Sequence, residues 1–160
     1  MGREFHTFRG YEIIKKNQDQ LTPSMEDYLE MIYRNCQGAG YARISQLAEQ
    51  LNVKAPSASK TVSKLAEMGY LYYKKYGVIQ LTPNGEMMGA FLLDRHKTVE
   101  KFLRNIGVLE DTVLLETELI EHHLSIDTVK NLKLLNDFLA NSPEVLEKLR
   151  LFKASYEEEK

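Results

Sequence analysis

The sequence is poor in cysteine and in long apolar runs, and both shortages limit what the protein can be. Cys36 is the single cysteine, so neither an internal disulfide nor a thiolate cluster for zinc can form. No apolar segment reaches the roughly eighteen residues of a membrane span, and residues 1–16 lack the apolar stretch of a secretory signal. We therefore expect a cytoplasmic protein with no membrane partner, and Cys36 as a core residue.

Apolar and charged residues make up 43% and 28% of the 160 residues, which is typical of a globular protein and excludes a disordered or fibrous chain. The net charge of −2 conceals an asymmetry. Residues 41–80 carry six Lys or Arg against two acids (+4), whereas residues 108–160 carry six against twelve acids (−6). This pattern suggests a polyanion-binding module joined to one that handles cations or protein contacts.

Apolar periodicity and helix-start signals predict a mainly helical chain. Residues 1–20 show no sustained period and are expected to form a loosely held extension. The predicted helices run from Thr22-Pro23 to Gly38 and then over residues 45–51, 56–68, 83–105, 110–123, 126–139 and 143–156. Between the third and fourth helices, residues 70–73 and 78–81 predict two short strands around a turn. Three helices followed by a hairpin is the order of a winged helix-turn-helix.

The third helix has the composition expected of a DNA-recognition helix. Its outer face is small, polar and basic, as entry into the major groove requires, and the hairpin tip adds two lysines that suit the adjacent phosphates. A face rich in serine and lysine is also typical of a merely solvated helix, but the supporting helix, the turn and the basic hairpin together favour double-stranded DNA. The candidate DNA-binding residues are Lys54, Pro56, Ser57, Ser59, Lys60, Thr61, Lys64, Lys74 and Lys75.

Acidic residues and histidines form a second candidate site. Asp27 and Glu30 lie opposite the apolar stripe of the first helix. His96 is in line with apolar residues of its helix, which usually means a hydrogen-bonded core histidine. Glu118, Glu121 and His122 span one arc of a helix that is apolar on its other sides, so we expect this helix to be buried, whereas His123 points away. Mixed carboxylate and imidazole donors suit Mn²⁺ or Fe²⁺, and ordinary salt bridges are the alternative.

Several motifs together resemble the diphtheria toxin repressor family, and most closely its short branch, the manganese transport regulators. They are Thr-Pro-Ser-Met-Glu-Asp-Tyr-Leu-Glu at 22–30, Pro-Ser-x-Ser at 56–59, Leu-Thr-Pro-x-Gly at 81–85, Arg95-His96, and Glu118-x-x-Glu121-His122-His123-Leu124-Ser125. The resemblance covers about residues 21–145. Two features depart from it: the extension before Leu21, and Lys54-Ala55-Pro56 at the start of the recognition helix, which leaves the operator sequence open.

The resemblance implies a fold that is mainly α with a small β-wing. An N-terminal winged helix-turn-helix binds DNA over residues 21–83, after the extension 1–20, and a C-terminal all-helical domain over residues 84–160 binds metal and forms a homodimer. It also implies two metal ions per subunit. Asp27, Glu30, His96 and Glu121, with the main-chain carbonyl of Glu118, would hold one ion. Glu30, Glu118, Glu121 and His122 would hold the other.

The resemblance further distinguishes between metals. The iron-responsive branch has methionine at the position of Asp27 and cysteine at that of Glu118, so the harder oxygen ligands here favour Mn²⁺, while Fe²⁺ stays possible. A chain ending near residue 160 leaves no room for the C-terminal SH3-like domain of longer members, which again favours the manganese branch. The expected function is a Mn²⁺-dependent repressor of metal-uptake genes, bound as a homodimer to a palindromic operator.

Two alternatives to this function are a repressor that responds to another signal and a metal-dependent enzyme. A winged-helix repressor could respond to Fe²⁺ or to a small molecule, with the carboxylates serving as interdomain salt bridges. A di-metal carboxylate enzyme needs Glu-x-x-His on each of two helices, and neither Glu118 nor Glu121 has a histidine three residues later. The HExxH motif of metalloproteases is absent too. We therefore expect no catalysis and no small-molecule substrate.

Overall fold

The structure is a computed structural model and describes residues 12, 14, 15, 17 and 20–158. The chain divides into two compact units, the first ending at Leu93 and the second beginning at Asp94. This division falls inside a long helix, whereas the division predicted between residues 83 and 84 lies at the start of that helix. Both units are mainly helical and the first contains one β-hairpin, so the predicted fold class is confirmed.

Most of the predicted N-terminal extension lies outside the described residues. Those of its residues that are described, 12, 14, 15, 17 and 20, include four helical positions, and Ile14 is fully buried. The prediction of a loosely held segment is therefore wrong at Ile14. The physical reason is that so short a segment offers too few turns for an apolar period to be recognised in the sequence.

Helix α1 (Pro23–Ala39) begins and ends at local signals. The Thr22 hydroxyl accepts a hydrogen bond from the Met25 N–H at 3.3 Å, and proline suits the first helical position because no N–H is needed there. Gly40 ends the helix with a φ of 80°, a conformation that glycine adopts without strain. Apolar residues at three- and four-residue steps, including Leu29 and Ile32, are buried, and the predicted helix is confirmed.

Helices α2 (Ile44–Gln50) and α3 (Ala55–Glu67) form the predicted helix-turn-helix. Asn52, in the turn between them, has a φ of 52°, which asparagine tolerates better than most residues. Leu47 of α2 and Leu65 of α3 are fully buried. The inner faces of both helices therefore supply the core, which leaves the outer face of α3 to solvent.

Strands β1 (Leu71–Tyr73) and β2 (Ile79–Leu81) pair antiparallel as the predicted wing. Ala42, which precedes α2, also pairs with Ile79 through two main-chain hydrogen bonds of 2.9 and 2.8 Å. At the tip of the hairpin, Tyr76 has a φ of 67°. The start of β2, next to the hairpin turn, is thus tied to the chain just before the supporting helix.

Helix α4 (Pro83–Asn105) starts directly after the wing. The Thr82 hydroxyl accepts from the Gly85 N–H at 3.1 Å and donates to the Gly69 carbonyl at 2.7 Å. A Cβ atom on Gly85 would lie 1.9 Å from the Tyr70 carbonyl oxygen. Only glycine permits this approach, which accounts for the Leu-Thr-Pro-x-Gly motif in physical terms.

The second unit contains the end of α4, followed by α5 (Glu110–Glu121), α6 (Ile126–Ala140) and α7 (Pro143–Glu158). Val99, Leu103 and Val113 form its buried core, packed by partly buried apolar neighbours. A polar contact joins α4 and α6 inside it, because the Asn136 side chain donates to the Thr98 carbonyl at 2.9 Å. Helix α5 ends two residues before the predicted end at His123.

Large apolar side chains remain exposed on the second unit. Those more than half exposed on α5, α6 and α7 are Leu114, Leu115, Leu119, Leu134, Phe138, Leu151, Phe152 and Tyr156. The prediction that α5 is buried on all sides is therefore wrong for this single chain. Only the face of Val113, Thr117 and Glu121 is buried, because one chain supplies neighbours on one side of the helix.

Among the described residues, no helix is both long enough and apolar enough to cross a bilayer.

Candidate DNA-binding surface and candidate metal centre

The sequence-predicted DNA-binding residues all lie at the surface of the first unit. Ser59 and Thr61 are half-buried, and the other seven are exposed. Lys54 immediately precedes α3 and Pro56 lies in its first turn. Lys60 and Lys64 are one turn apart on its outer face, and Lys74 and Lys75 lie at the tip of the wing. The structure thus divides these residues between the recognition helix and the hairpin.

A cleft of about 500 Å³ lies between the start of α3 and the wing. Pro56 and Ser59 line it from the helix, and Lys75 lines it from the hairpin. The Ser59 hydroxyl lies 3.3 Å from the Tyr73 hydroxyl, so one hydrogen bond joins α3 directly to β1. This contact orients the wing relative to the recognition helix.

Three residues of this cleft were missed by the sequence reasoning: Arg43, Tyr73 and Tyr76. The Arg43 guanidinium lies 5.2 Å from the centre of the Tyr41 ring, and the Lys75 ammonium lies 5.1 Å from that of Tyr76, both within the range of a cation–π contact. Tyr76 is 90% exposed. A tyrosine with a purely structural role is rarely so exposed. In the sequence, the available signal was a tyrosine next to glycine at a basic hairpin tip.

Helix α1 carries the acidic residues predicted for the first unit. Glu30 accepts two hydrogen bonds from Arg34, at 3.0 Å from Nε and 2.6 Å from Nη2. Asp27 is one turn earlier on the same face and is half-buried. The pair of Glu30 and Arg34 is an ordinary (i, i+4) salt bridge.

The second unit brings together the other four predicted ligands, which come from α4 and the end of α5. His96 Nδ1 lies 3.0 Å from a Glu121 carboxylate oxygen and 3.5 Å from a Glu118 carboxylate oxygen. Glu121 is 1% exposed. His122 follows Glu121 at the end of α5, while His123 is exposed, as its predicted direction requires.

Two further charged residues contact this cluster. Arg95 is fully buried, and its Nε lies 3.5 Å from Glu121 Oε2 while its Nη2 lies 3.1 Å from His122 Nδ1. Glu100 Oε2 lies 3.7 Å from His96 Nε2. The sequence reasoning gave neither residue a role. The four-residue spacing of His96 and Glu100 was a usable sequence signal, because such residues are neighbours on a helix. The contacts of Arg95 join residues 26 and 27 positions apart, so residue spacing could not predict them.

The donor set of this cluster fits a divalent cation of the Mn²⁺ type. His96 on α4 lies close to Glu118 and Glu121 on α5, His122 follows at the end of α5, and mixed carboxylate and imidazole donors suit such an ion. Cys36 lies in the other unit, and burial raises the pKa of its thiol. A thiolate ligand is therefore disfavoured, because the thiol resists ionisation.

Comparison with known proteins gives two family matches that together span most of the chain. Residues 20–79 match the iron-dependent repressor N-terminal DNA-binding domain, and residues 82–150 match the iron-dependent repressor metal-binding and dimerisation domain. The first match includes the helix-turn-helix and most of the wing, and the second includes the cluster of His96 and Glu121.

Curated relatives resemble the chain over nearly their whole length. The HTH-type transcriptional regulator MntR of Lysinibacillus sphaericus is 43% identical over 135 residues, which is 84% of this chain and 97% of the relative. The MntR regulator of Geobacillus kaustophilus is 44% identical over 129 residues, covering 81% of this chain and 92% of the relative.

Solved structures resemble the fold. The manganese regulator SloR superposes with a TM-score of 0.63 at 33% identity, covering 72% of this chain and 55% of that one. The IdeR protein of T. acidophilum gives a TM-score of 0.58 at 30% identity, covering 67% of this chain and 51% of that one. This chain therefore matches about half the length of these solved chains. From the two domain matches and the curated relatives, the chain belongs to the iron-dependent repressor family, which combines a DNA-binding domain with a metal-binding and dimerisation domain.

Proposed function

We propose that the chain is a homodimeric, Mn²⁺-dependent repressor that binds a palindromic operator and controls genes of metal uptake. The observation that carries this proposal is the convergence of His96, Glu118, Glu121 and His122 in the second unit. The relatives named MntR and the solved manganese regulator SloR support the choice of metal. A regulator of this kind works where the DNA is, in the cytoplasm.

The ligands proposed for the metal come from both units. Asp27, Glu30, His96 and Glu121, with the Glu118 carbonyl, would hold one ion. Glu30, Glu118, Glu121 and His122 would hold the second, so that Glu30 and Glu121 would contribute to both. Glu30 accepts hydrogen bonds from Arg34, and a metal ion would compete for that carboxylate.

The switch follows from the charges of these residues. Four carboxylates, those of Asp27, Glu30, Glu118 and Glu121, repel one another when they are gathered. A bound divalent cation supplies the positive charge that turns this repulsion into attraction. Asp27 and Glu30 then hold α1, and with it the helix-turn-helix, at a fixed position on the dimer core.

A fixed position matters because the operator has two half-sites. Two recognition helices on a two-fold dimer must enter major grooves at one separation, and restricting their motion lowers the ordering cost of binding both half-sites. A gain of about 2–4 kcal/mol, roughly 30- to 1,000-fold in affinity, is enough to switch transcription. The cleft beside α3 would receive the phosphate backbone between Arg43 and Lys75.

An alternative function keeps the fold and changes the signal. The pair of Glu30 and Arg34 favours a regulator in which the carboxylates are structural ion pairs and Fe²⁺ or a small molecule is sensed. Under that alternative the removal of Mn²⁺ has no effect on DNA affinity. The two functions therefore differ in one measurable quantity.

The test is operator-fragment binding by the purified full-length chain under anaerobic conditions, with Mn²⁺, Fe²⁺, Zn²⁺ or a chelator. Wild type is compared with Glu121→Gln and with Glu116→Gln, a matched change at an exposed carboxylate of the same helix. We expect Mn²⁺ to tighten binding by about 30-fold or more in wild type and in Glu116→Gln, and by less than threefold in Glu121→Gln. Equal affinity of the wild type in Mn²⁺ and in chelator would contradict the proposal.

A further inference from the structure

Arg95 is the largest fully buried side chain among the described residues. A guanidinium keeps its charge at any physiological pH, so its burial is costly unless it is matched by a negative or strongly accepting partner. Apolar side chains fill buried space without this cost. The position of Arg95 therefore calls for a role beyond packing.

Two partners of Arg95 are ligands proposed for the second ion. Its Nε lies 3.5 Å from Glu121 Oε2, and its Nη2 lies 3.1 Å from His122 Nδ1. Under the proposed function, Glu121 would bind both ions and His122 the second ion alone. Arg95 thus acts on the side of the cluster where the second ion would bind.

The two oxygens of Glu121 face different partners. Oε1 lies 3.0 Å from His96 Nδ1, and His96 is a proposed ligand of the first ion only. Oε2 lies towards Arg95. Consecutive residues of α4 therefore hold the two oxygens of one carboxylate, and the cationic residue is on the oxygen away from His96.

The contact with His122 excludes a metal ion on that ring. A guanidinium only donates hydrogen bonds, so His122 Nδ1 must be the acceptor and Nε2 carries the proton of the neutral ring. A metal bound through Nδ1 would need the lone pair that Arg95 uses. A metal bound through Nε2 would move the proton to Nδ1, where it would meet the Arg95 donor. In both cases the contact between Arg95 and His122 must break before the ion binds.

We infer that Arg95 is an internal cation that occupies the second-ion half of the metal centre and makes the two ions bind in order, the first ion tightly and the second only as Arg95 withdraws. The inference rests on the proposed function, because it assumes that a divalent metal binds there. Arg95 is a positioning residue in this role, since it acts through Glu121 and His122 and is not itself a ligand.

This arrangement has a consequence for sensing. A single ion satisfies His96 and one oxygen of Glu121 without disturbing Arg95. Binding of the second ion must break the contact of Arg95 with His122. It must also overcome the electrostatic repulsion between the ion and the Arg95 guanidinium, which falls only slowly with distance inside a protein. The metal concentration that fills the second half of the centre is therefore set higher than the ligands alone would set it.

The test is a titration of the metal-free, full-length protein with Mn²⁺, followed by the electron paramagnetic resonance signal of the free ion. Four proteins are compared: wild type, Arg95→Met, Arg95→Lys and His122→Ala. Methionine keeps an unbranched, apolar side chain without the charge, lysine keeps the charge, and the loss of His122 removes a ligand proposed for the second ion alone. Melting of the metal-free proteins shows which of them are folded, and Arg95→Gln replaces the methionine variant if that one does not fold.

We expect two binding steps in wild type that differ in affinity by at least about tenfold. In Arg95→Met the second step tightens about tenfold or more while the first changes less than threefold, and Arg95→Lys restores the wild-type separation. His122→Ala loses the second step. A second step in Arg95→Met that is unchanged, weakened or lost would overturn the inference, and so would a single step in both proteins. Absence of any Mn²⁺ binding to wild type would instead contradict the proposed function.

Discussion

The two units of the chain use their apolar residues differently. In the first unit the apolar side chains of α1, α2 and α3, such as Leu29, Leu47 and Leu65, are fully buried. In the second unit Leu119, on α5, and Phe152, on α7, are 64% and 66% exposed. The first unit closes its core with its own residues, whereas the second leaves apolar surface that a single chain does not cover.

The two units also differ in net charge. The segment 41–80 has a balance of +4 and the segment 108–160 has a balance of −6. A closed core with basic groups outside suits a unit that meets a polyanion, and an open apolar surface on an acidic unit suits one that meets a second copy of itself and a cation. If the first unit meets a polyanion and the second meets a second copy and a cation, variants in the two units should differ in their effects, and these are given from the largest expected effect to the smallest.

A charge on the apolar surface of the second unit is expected to have the largest effect. Leu119→Asp should weaken the homodimer about 100-fold or more, because an unpaired carboxylate would be buried where two copies meet. Tyr72→Asp, at a comparably exposed residue of the first unit, should leave the dimer unchanged. Sedimentation across a concentration series measures both, and a stable Leu119→Asp dimer would show that this surface has another use.

A charge reversal on the recognition helix should have the next largest effect. Lys60→Glu is expected to weaken operator binding about 30-fold and to reduce its dependence on salt, because a phosphate contact and its released counterion are lost. Lys101→Glu, which makes the same change of charge at an exposed position of the second unit, should change affinity less than threefold. Fluorescence anisotropy at several salt concentrations provides the measurement. Equal losses in the two variants would mean that net charge, and not position, controls binding.

Loss of the contact between the wing and the recognition helix should have a smaller effect on operator affinity. Tyr73→Phe removes the hydroxyl that lies 3.3 Å from Ser59 Oγ, and one such hydrogen bond contributes about 0.5–1.5 kcal/mol. We expect operator affinity to fall about three- to tenfold with little change in metal affinity. Anisotropy and a Mn²⁺ titration on the same preparation test this, and Tyr72→Phe, an exposed tyrosine of the same strand, is the control. An unchanged operator affinity would show that the wing is positioned by main-chain pairing alone.

The smallest effect concerns Cys36 in the first unit. Burial raises the pKa of its thiol, so the reactive thiolate is scarcer at neutral pH than in the unfolded chain. We expect a thiol reagent at pH 7.5 to modify Cys36 at least about tenfold more slowly in the native protein than in the denatured protein. The native rate should rise steadily as the pH is raised above 8. Equal rates would show that the partial burial of Cys36 does not protect its thiol.

Much of the fold followed from local sequence signals. Thr22 and Pro23 at the start of α1, Gly40 at its end, and Ser125 before α6 are signals that act within one turn of helix, so their effect was readable without a structure. The order of three helices, a hairpin and further helices then limited the fold to a winged helix-turn-helix. The Leu-Thr-Pro-x-Gly motif was noticed as a pattern, but its reason, the close approach of Gly85 to Tyr70, appeared only in the structure.

The candidate site was only partly predictable. Glu118, Glu121 and His122 share one arc of a helix, which residue spacing alone reveals. Arg95 and His96 are adjacent in sequence and were noticed together only as a family motif. The separate oxygens of Glu121 that they face depend on how α4 packs against α5, and spacing along one helix contains no information about a second helix.

The sequence by itself determined the helices, their ends, the basic and acidic halves and the candidate ligands, because capping, periodicity and charge are properties of neighbouring residues. Only the tertiary structure decided that Arg95 is buried against Glu121 and His122, that Ser59 meets Tyr73, and that one face of α5 stays exposed. Burial and pairing arise from contacts between residues far apart in the chain. For that reason the basic and acidic character of the two units was readable from the sequence, whereas the contacts of Arg95 with Glu121 and His122 were not.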